Sequence, residues 1–169
     1  MRLNKGEVLF HQGEEGPLYR IDSGLFKVVR GYEDGSTLIF NVLTPGETVP
    51  HHSLISPKEY HGTAVALVPC EVTLIPRAEW YEAMERDPSL YKGAALELQA
   101  KLRMMQQRID QLTALTPKEK LARLQQWFAS YVPGAPLMEL LTQEEIGQLL
   151  GLRRETVNRL LRKAPADAD

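Results

Sequence analysis

Between Thr142 and Lys163 the chain carries side chains whose types and order suit the reading of base edges. Arg153, Arg154, Glu155, Thr156, Asn158, Arg159, Arg162 and Lys163 follow one another with five positive charges against one negative. Arg154 and Arg159 can each donate two parallel hydrogen bonds to a guanine edge, and Glu155 can accept from the amino group of cytosine. Arg162 and Lys163 are better suited to phosphates, which position a protein on a duplex without specifying sequence. A carboxylate at a nucleic-acid surface repels phosphates, so Glu155 between arginines argues for base reading over a merely solvated basic face.

These groups need a frame that presents them together. Thr142 with Glu145 forms a capping box that opens a short helix, with Ile146, Leu149 and Leu150 on its inner side. Gly151 permits a sharp turn. A second helix follows with Val157, Leu160 and Leu161 inward, which is the helix-turn-helix layout. Upstream, Thr116-Pro117-Lys118-Glu119 is another capping box with proline at the first helical position. The helix it starts runs through Leu121, Leu124, Trp127 and Phe128 and is broken by Val132-Pro133-Gly134-Ala135-Pro136.

A longer helix is predicted before it, from Ser89 to about Leu115, opened by Asp87 as N-cap and Pro88 at the first helical position. Tyr91, Ala95, Leu98, Leu102, Met105, Ile109 and Leu112 recur at alternating steps of four and three, a heptad seam suited to self-association. Leu90, Ala94 and Leu96 are the row expected to pack on the chain's own N-terminal unit. That unit reads as β-rich runs: Val8 to Phe10, Leu18 to Asp22, Leu25 to Tyr32, Leu38 to Leu43, Thr63 to Val68 and Val72 to Ile75. Asp34-Gly35 marks a hairpin, and many short strands suggest an antiparallel barrel or sandwich. The chain divides into a barrel (1–86), a dimerisation helix (87–115) and a helix-turn-helix unit (116–169).

The net charge of −2 over 169 residues excludes a basic coat, so nucleic-acid binding must come from a local patch. The single cysteine, Cys70, excludes an intrachain disulfide and a four-thiolate metal site, and its apolar run predicts a buried thiol. The first residues lack an apolar stretch and no run approaches a membrane span, so a cytoplasmic protein is expected. No Ser-His-Asp or Cys-His arrangement, phosphate-cradling glycine loop or ordered metal-ligand spacing is present, so an enzyme is not expected and no cofactor is called for. The tail from Ala164 to Asp169 is expected to fray.

On these residues the chain resembles the CRP/FNR family of transcription regulators. The carriers are Glu145-Ile146-Gly147-Gln148 followed by Gly151 and Arg154-Glu155-Thr156-Val157-x-Arg159. Gly6-Glu7-x-Leu9-Phe10-x-Gln12-Gly13-Glu14, Tyr19-x-Ile21-x-x-Gly24 and Pro45-Gly46-Glu47 carry it in the N-terminal unit. The resemblance implies an α+β protein: a cyclic-nucleotide-binding-type β jelly roll, a long dimer helix and a C-terminal helix-turn-helix whose wing is absent or truncated here. It implies a homodimer on palindromic double-stranded DNA with TGTGA-like half-sites, with Arg154, Glu155 and Arg159 on bases. It also implies contacts to RNA polymerase through the loops Gly31 to Thr37 and Tyr131 to Leu137.

The effector pocket departs from the family's pattern. The residue expected on the ribose is near His51, and the phosphate pair falls near Tyr60-His61 or Gly62-Thr63. The adenine-facing pair appears as Met105-Gln106. No arginine lies between Arg30 and Arg77 in the chain, so a ring phosphate is expected to lack a guanidinium partner. The expected pocket residues are therefore Glu47, His51, His52, His61, Thr63, Met105 and Gln106, without tight cyclic-AMP binding. Imidazoles at 51, 52 and 61 leave metal, haem or pH sensing open. The competing reading is thus a small-molecule, haem or metal sensor with weakened DNA binding.

Overall fold

The computed structural model describes residues 1–163. Eight strands come first: β1 (Arg2–Leu3), β2 (Val8–Phe10), β3 (Leu18–Ser23), β4 (Phe26–Gly31), β5 (Thr37–Leu43), β6 (Thr48–Val49), β7 (Thr63–Ala66) and β8 (Cys70–Ile75). They pair antiparallel in two sheets, ordered β1-β8-β3-β6 and β2-β7-β4-β5, the jelly roll the motifs imply. Alternation along β4 turns Phe26 and Val28 inward, where they join Phe10, Tyr19, Ile21, Val49 and Tyr60. The Asp34-Gly35 turn joins β4 to β5 as expected, with the Asp34 carboxylate accepting from the Ser36 amide at 2.9 Å. Cys70 is buried, and its thiol donates to the carbonyl of Val68 at 3.0 Å. Burial pushes that thiol's pKa up, as suits an inert core group.

Helix α1 (Arg77–Arg86) closes one end of the barrel. Met84 is buried beside Leu18, Leu54 and Ala94, and the Trp80 indole donates to the carbonyl of Leu54 at 2.9 Å. Helix α2 (Ser89–Ala114) begins at Ser89 as expected, with Pro88 rather than Asp87 in the capping position, and the Asp87 carboxylate accepts from the Ser89 amide at 3.0 Å. Its barrel-facing row is Ala94, Leu98 and Lys101, not Leu90, Ala94 and Leu96. Leu90 and Leu96 are 42% and 55% exposed. The reason is periodicity: 94, 98 and 101 share a stripe, whereas 96 lies about 200° round the helix from 94.

Four helices follow among the described residues: α3 (Pro117–Tyr131), α4 (Leu137–Leu140), α5 (Gln143–Leu150) and α6 (Arg154–Lys163). Both predicted capping boxes are formed, at Thr116–Glu119 and Thr142–Glu145. Leu121, Phe128, Leu140, Ile146, Leu149 and Val157 build a second core, which also takes in Leu25, Ile39, Val42 and Leu67 of the barrel. Each such side chain contributes about 1.5–3 kcal/mol when fully buried, so barrel and helical unit are welded by apolar contact. Polar contacts set the register. β5 is an edge strand with backbone groups to satisfy. Gln148 supplies both partners: its carbonyl oxygen accepts from the Ile39 amide at 2.8 Å and its amide donates to the Thr37 carbonyl at 3.0 Å. Lys27 meets Glu145 at 2.5 Å. Burial raises the Glu145 carboxyl, but Lys27 and Thr142 outweigh it and hold the pKa below its ordinary value.

The α5–α6 turn depends on two glycines. Gly151 is left-handed, with φ +63°. Gly147 accepts the Leu152 amide at 2.9 Å, and a Cβ on it would lie 2.5 Å from the Leu152 carbonyl oxygen. Gly147→Ala is therefore expected to destabilise the chain by about 1–3 kcal/mol, read as a lower urea midpoint. A midpoint equal to that of the unaltered chain would show that the turn relaxes freely.

Candidate nucleic-acid interface

Helix α6 has one buried side and one open side. Val157 is fully buried, and Leu160 and Leu161 are half-buried against α3 and α5. Arg153, Arg154, Glu155, Arg159 and Arg162 are exposed. Positions 154, 155, 158, 159 and 162 fall on one face by helical spacing, and their side chains line an open cleft with Gln143. Among the described residues, no intrachain salt bridge engages Arg153, Arg154, Arg159 or Arg162. Their guanidinium groups are thus presented to solvent rather than neutralised internally.

Three predicted site residues also work inside the fold. Asn158 is half-buried and donates to the Gln143 side-chain carbonyl at 3.1 Å, which ties α6 to the start of α5. Thr156 is half-buried. Thr142 is exposed, and its hydroxyl accepts from the Glu145 amide at 3.2 Å and also engages the Glu145 carboxylate. The side chain of Lys163 and the whole 164–169 tail lie outside the described residues.

The heptad seam of α2 is largely open. Tyr91, Leu102, Met105 and Ile109 are 39%, 57%, 45% and 61% exposed, and Ala95 is exposed beside them. Leu98 and Leu112 are half-buried and also touch their own chain, Leu98 in the barrel-end cluster and Leu112 beside α3. Two stripes therefore run along α2 and share these leucines. A contiguous exposed apolar row of this kind is a mark of an interface.

The expected effector residues separate into two groups. Glu47 and His51 belong to a largely buried charge cluster. Glu47 accepts from the Thr44 hydroxyl at 2.7 Å and from the Lys101 ammonium at 2.8 Å. His51 Nε2 lies 3.1 Å from the same carboxylate, yet it is not aligned for a hydrogen bond. Burial alone would raise the Glu47 carboxyl; His51, Lys101 and Thr44 reverse this and hold its pKa at about 2. His52 and His61 lie on the surface with ring centroids 6.2 Å apart. His52 meets the Glu59 carbonyl at 2.9 Å, and burial against the barrel lowers its pKa. Thr63 accepts from the Gln12 amide at 3.1 Å, while Met105 and Gln106 are exposed on α2.

One expectation is corrected here. Arg30 reaches His61 at 2.6 Å, so a guanidinium does stand beside the expected phosphate position. It comes from β4, which neighbours β7 in the sheet, rather than from the intervening chain. A Cβ on Gly62 would lie 2.8 Å from the Phe40 ring, so the chain is closely packed at that position, whereas Arg30, His52 and His61 line an open cleft of about 850 Å³. No group of three potential metal ligands comes together among the described residues. Sequence reasoning missed Lys101 and the contacts that Gln148 and Arg30 make. Lys101 carried a usable signal, since it falls on the stripe of Ala94 and Leu98 that must face the barrel.

A jelly roll, an open apolar helix and an exposed arginine-rich reading helix define a DNA-binding regulator of one family. The profile of the cyclic nucleotide-binding domain matches residues 1–87, and that of bacterial regulatory proteins of the crp family matches residues 140–163. The chain belongs to the CRP/FNR family of transcription regulators. It is 26% identical over 161 residues to the cAMP-activated global transcriptional regulator CRP of Escherichia coli O157:H7, covering 91% of this chain and 76% of that one. It is 28% identical over 158 residues to the cyclic AMP receptor protein of Thermus thermophilus, covering 93% and 72%. Among solved structures, a CRP-family transcriptional regulator, also from Thermus thermophilus, superposes with TM-score 0.75 at 25% identity, over 96% of this chain and 82% of that one. FixK2 from Bradyrhizobium japonicum superposes with TM-score 0.76 at 22% identity, over 96% and 81%, a likeness of fold. No helix among the described residues is long and apolar enough to cross a membrane.

Proposed function

We propose that the chain acts as a homodimer, joined along α2, that reads TGTGA-like palindromes with α6 and is not switched by cyclic AMP. The observation that carries this reading is the row of exposed arginines flanking Glu155, with no internal ion pair among the described residues. Arg154 and Arg159 take guanines, Glu155 takes cytosine, and Arg153, Arg162 and Lys163 meet phosphates. Thr142, Thr156 and Asn158 hold or supplement this surface from its inner margin. Two such helices must enter successive major grooves about 34 Å apart. The exposed seam Tyr91, Ala95, Leu102, Met105 and Ile109, with Leu98 and Leu112, supplies the joining surface.

Independence from cyclic AMP is supported by the occupation of the barrel side of α2. Glu47 is engaged by Lys101 and Thr44, and His51 stands where the ribose partner is expected. Arg30 alone does not rebuild a nucleotide site. The loops 31–37 and 131–137 are the surfaces on which RNA polymerase contact is expected, and Tyr131 is 43% exposed at the second.

Fluorescence anisotropy with a TGTGA-palindrome duplex tests the reading. The palindrome is expected to bind at least about 10³-fold more tightly than a random duplex, with the same affinity in millimolar cyclic AMP. Calorimetry is expected to show no micromolar binding of cyclic AMP. No discrimination at low salt would remove the DNA reading, and a cyclic-AMP-induced gain in affinity would remove the independence.

A further inference from the structure

The helical unit meets the barrel around a cleft of about 600 Å³, within the range of small-molecule sites. Its walls come from β5, α2, α3 and α5. Leu112, Leu115, Trp127 and Leu149 give it an apolar lining, and Lys120 and Arg123 stand among the lining residues. Leu112, Leu115 and Trp127 remain half-buried, so the wall is not closed by its own side chains. No lining residue is acidic. Glu119 interacts with Arg123, but its carboxylate is engaged in the α3 capping box. Lys120 donates to the Leu112 carbonyl at the end of α2, which fixes its ammonium and leaves two of its protons for other acceptors. The cleft is also distinct from the exposed seam of α2, with which it shares Leu112 alone.

We propose that this cleft binds a small amphipathic organic anion, its apolar body against Trp127 and the leucines and its carboxylate on Arg123 and Lys120. The two cations outnumber the one carboxylate beside them, that of Glu119, and so favour an anion, and the lining selects a hydrocarbon or aromatic body. Because both units contribute walls, the occupant would bear on the angle between them. Nothing in this site depends on which DNA α6 reads.

Calorimetric titration of the full chain with octanoate and with 1-octanol tests the site. Octanoate is expected to bind once per protomer and to change tryptophan emission. The change is expected to persist in Trp80→Phe, which assigns it to Trp127. 1-Octanol is expected to bind about tenfold more weakly, and Arg123→Gln to weaken octanoate about tenfold, with Arg123→Lys restoring most of the loss. Equal affinity for the alcohol, indifference to Arg123→Gln, or no saturable binding would each overturn the proposal. Uptake of several octanoates per protomer, unaltered in Arg123→Gln, would place them on the open row of α2 and overturn it too.

Discussion

Arg159→Ala is expected to weaken binding to a TGTGA palindrome by at least about 30-fold while changing affinity for a random duplex no more than about threefold. One bidentate arginine–guanine pair is worth about 1–3 kcal/mol of discrimination. A homodimer loses the pair in both half-sites, so the sum begins near 2 kcal/mol, or about 30-fold. On random DNA the same arginine offers only general attraction, one charge among several on α6. Arg154→Ala should behave likewise but relax a different base pair, because 154 and 159 lie more than one turn apart. Glu155→Ala should act in the opposite sense on random DNA, tightening it by removing a charge that repels phosphates. Lys163→Ala, read from the sequence, should weaken all duplexes alike and lower the salt slope by about one per protomer. Anisotropy across a salt series with cognate, singly substituted and random duplexes separates these outcomes. If the arginine variants lost equally on all three, α6 would be a phosphate-binding helix and its roles would need reassignment.

The reading helix was legible because its signals are local. The capping box Thr142–Glu145, Gly151 and the inward Val157 all act within a turn or two, and each sits where the sequence placed it. The heptad row of α2 was legible for the same reason, as was the hairpin at Asp34-Gly35. The strands β1 and β6 were missed, since two residues carry no period-2 signal. Helix α4 was hidden too, as four residues after Pro136 in a proline-rich stretch. The effector region was least legible because its partners are remote in the chain. Glu47 meets Lys101 from 54 residues away and His61 meets Arg30 from 31. Gln148 completes β5 across more than a hundred residues. Composition marks such residues as polar; only the packing of α2 and α5 on the barrel decides whom they meet.

The Glu47–Lys101 pair should be the most sensitive of these long-range contacts. Their side chains are 15% and 8% exposed, so removing one partner strands a charge with little access to water. Lys101→Met is expected to destabilise the chain by about 3–5 kcal/mol at pH 7. Pairing it with Glu47→Leu should recover a large part of that loss, because two apolar groups leave no buried charge behind. The pH dependence follows from Glu47, whose pKa in the fold is about 2 against an ordinary 4.5. A carboxyl held low in the fold adds stability that is fully present above its unfolded value. That stability is lost as the pH falls from about 4.5 towards 2. The gap between the two values corresponds to about 3 kcal/mol. Urea unfolding at pH 7 and in steps below pH 5 should show this loss in the unaltered chain and a much flatter profile in Lys101→Met. Equal acid sensitivity in both would mean that other carboxylates govern acid unfolding. With Lys101→Met stable at neutral pH as well, the cluster would be incidental to the seating of α2. If instead the profiles diverge as expected, an ion pair internal to the protomer holds α2 against the barrel.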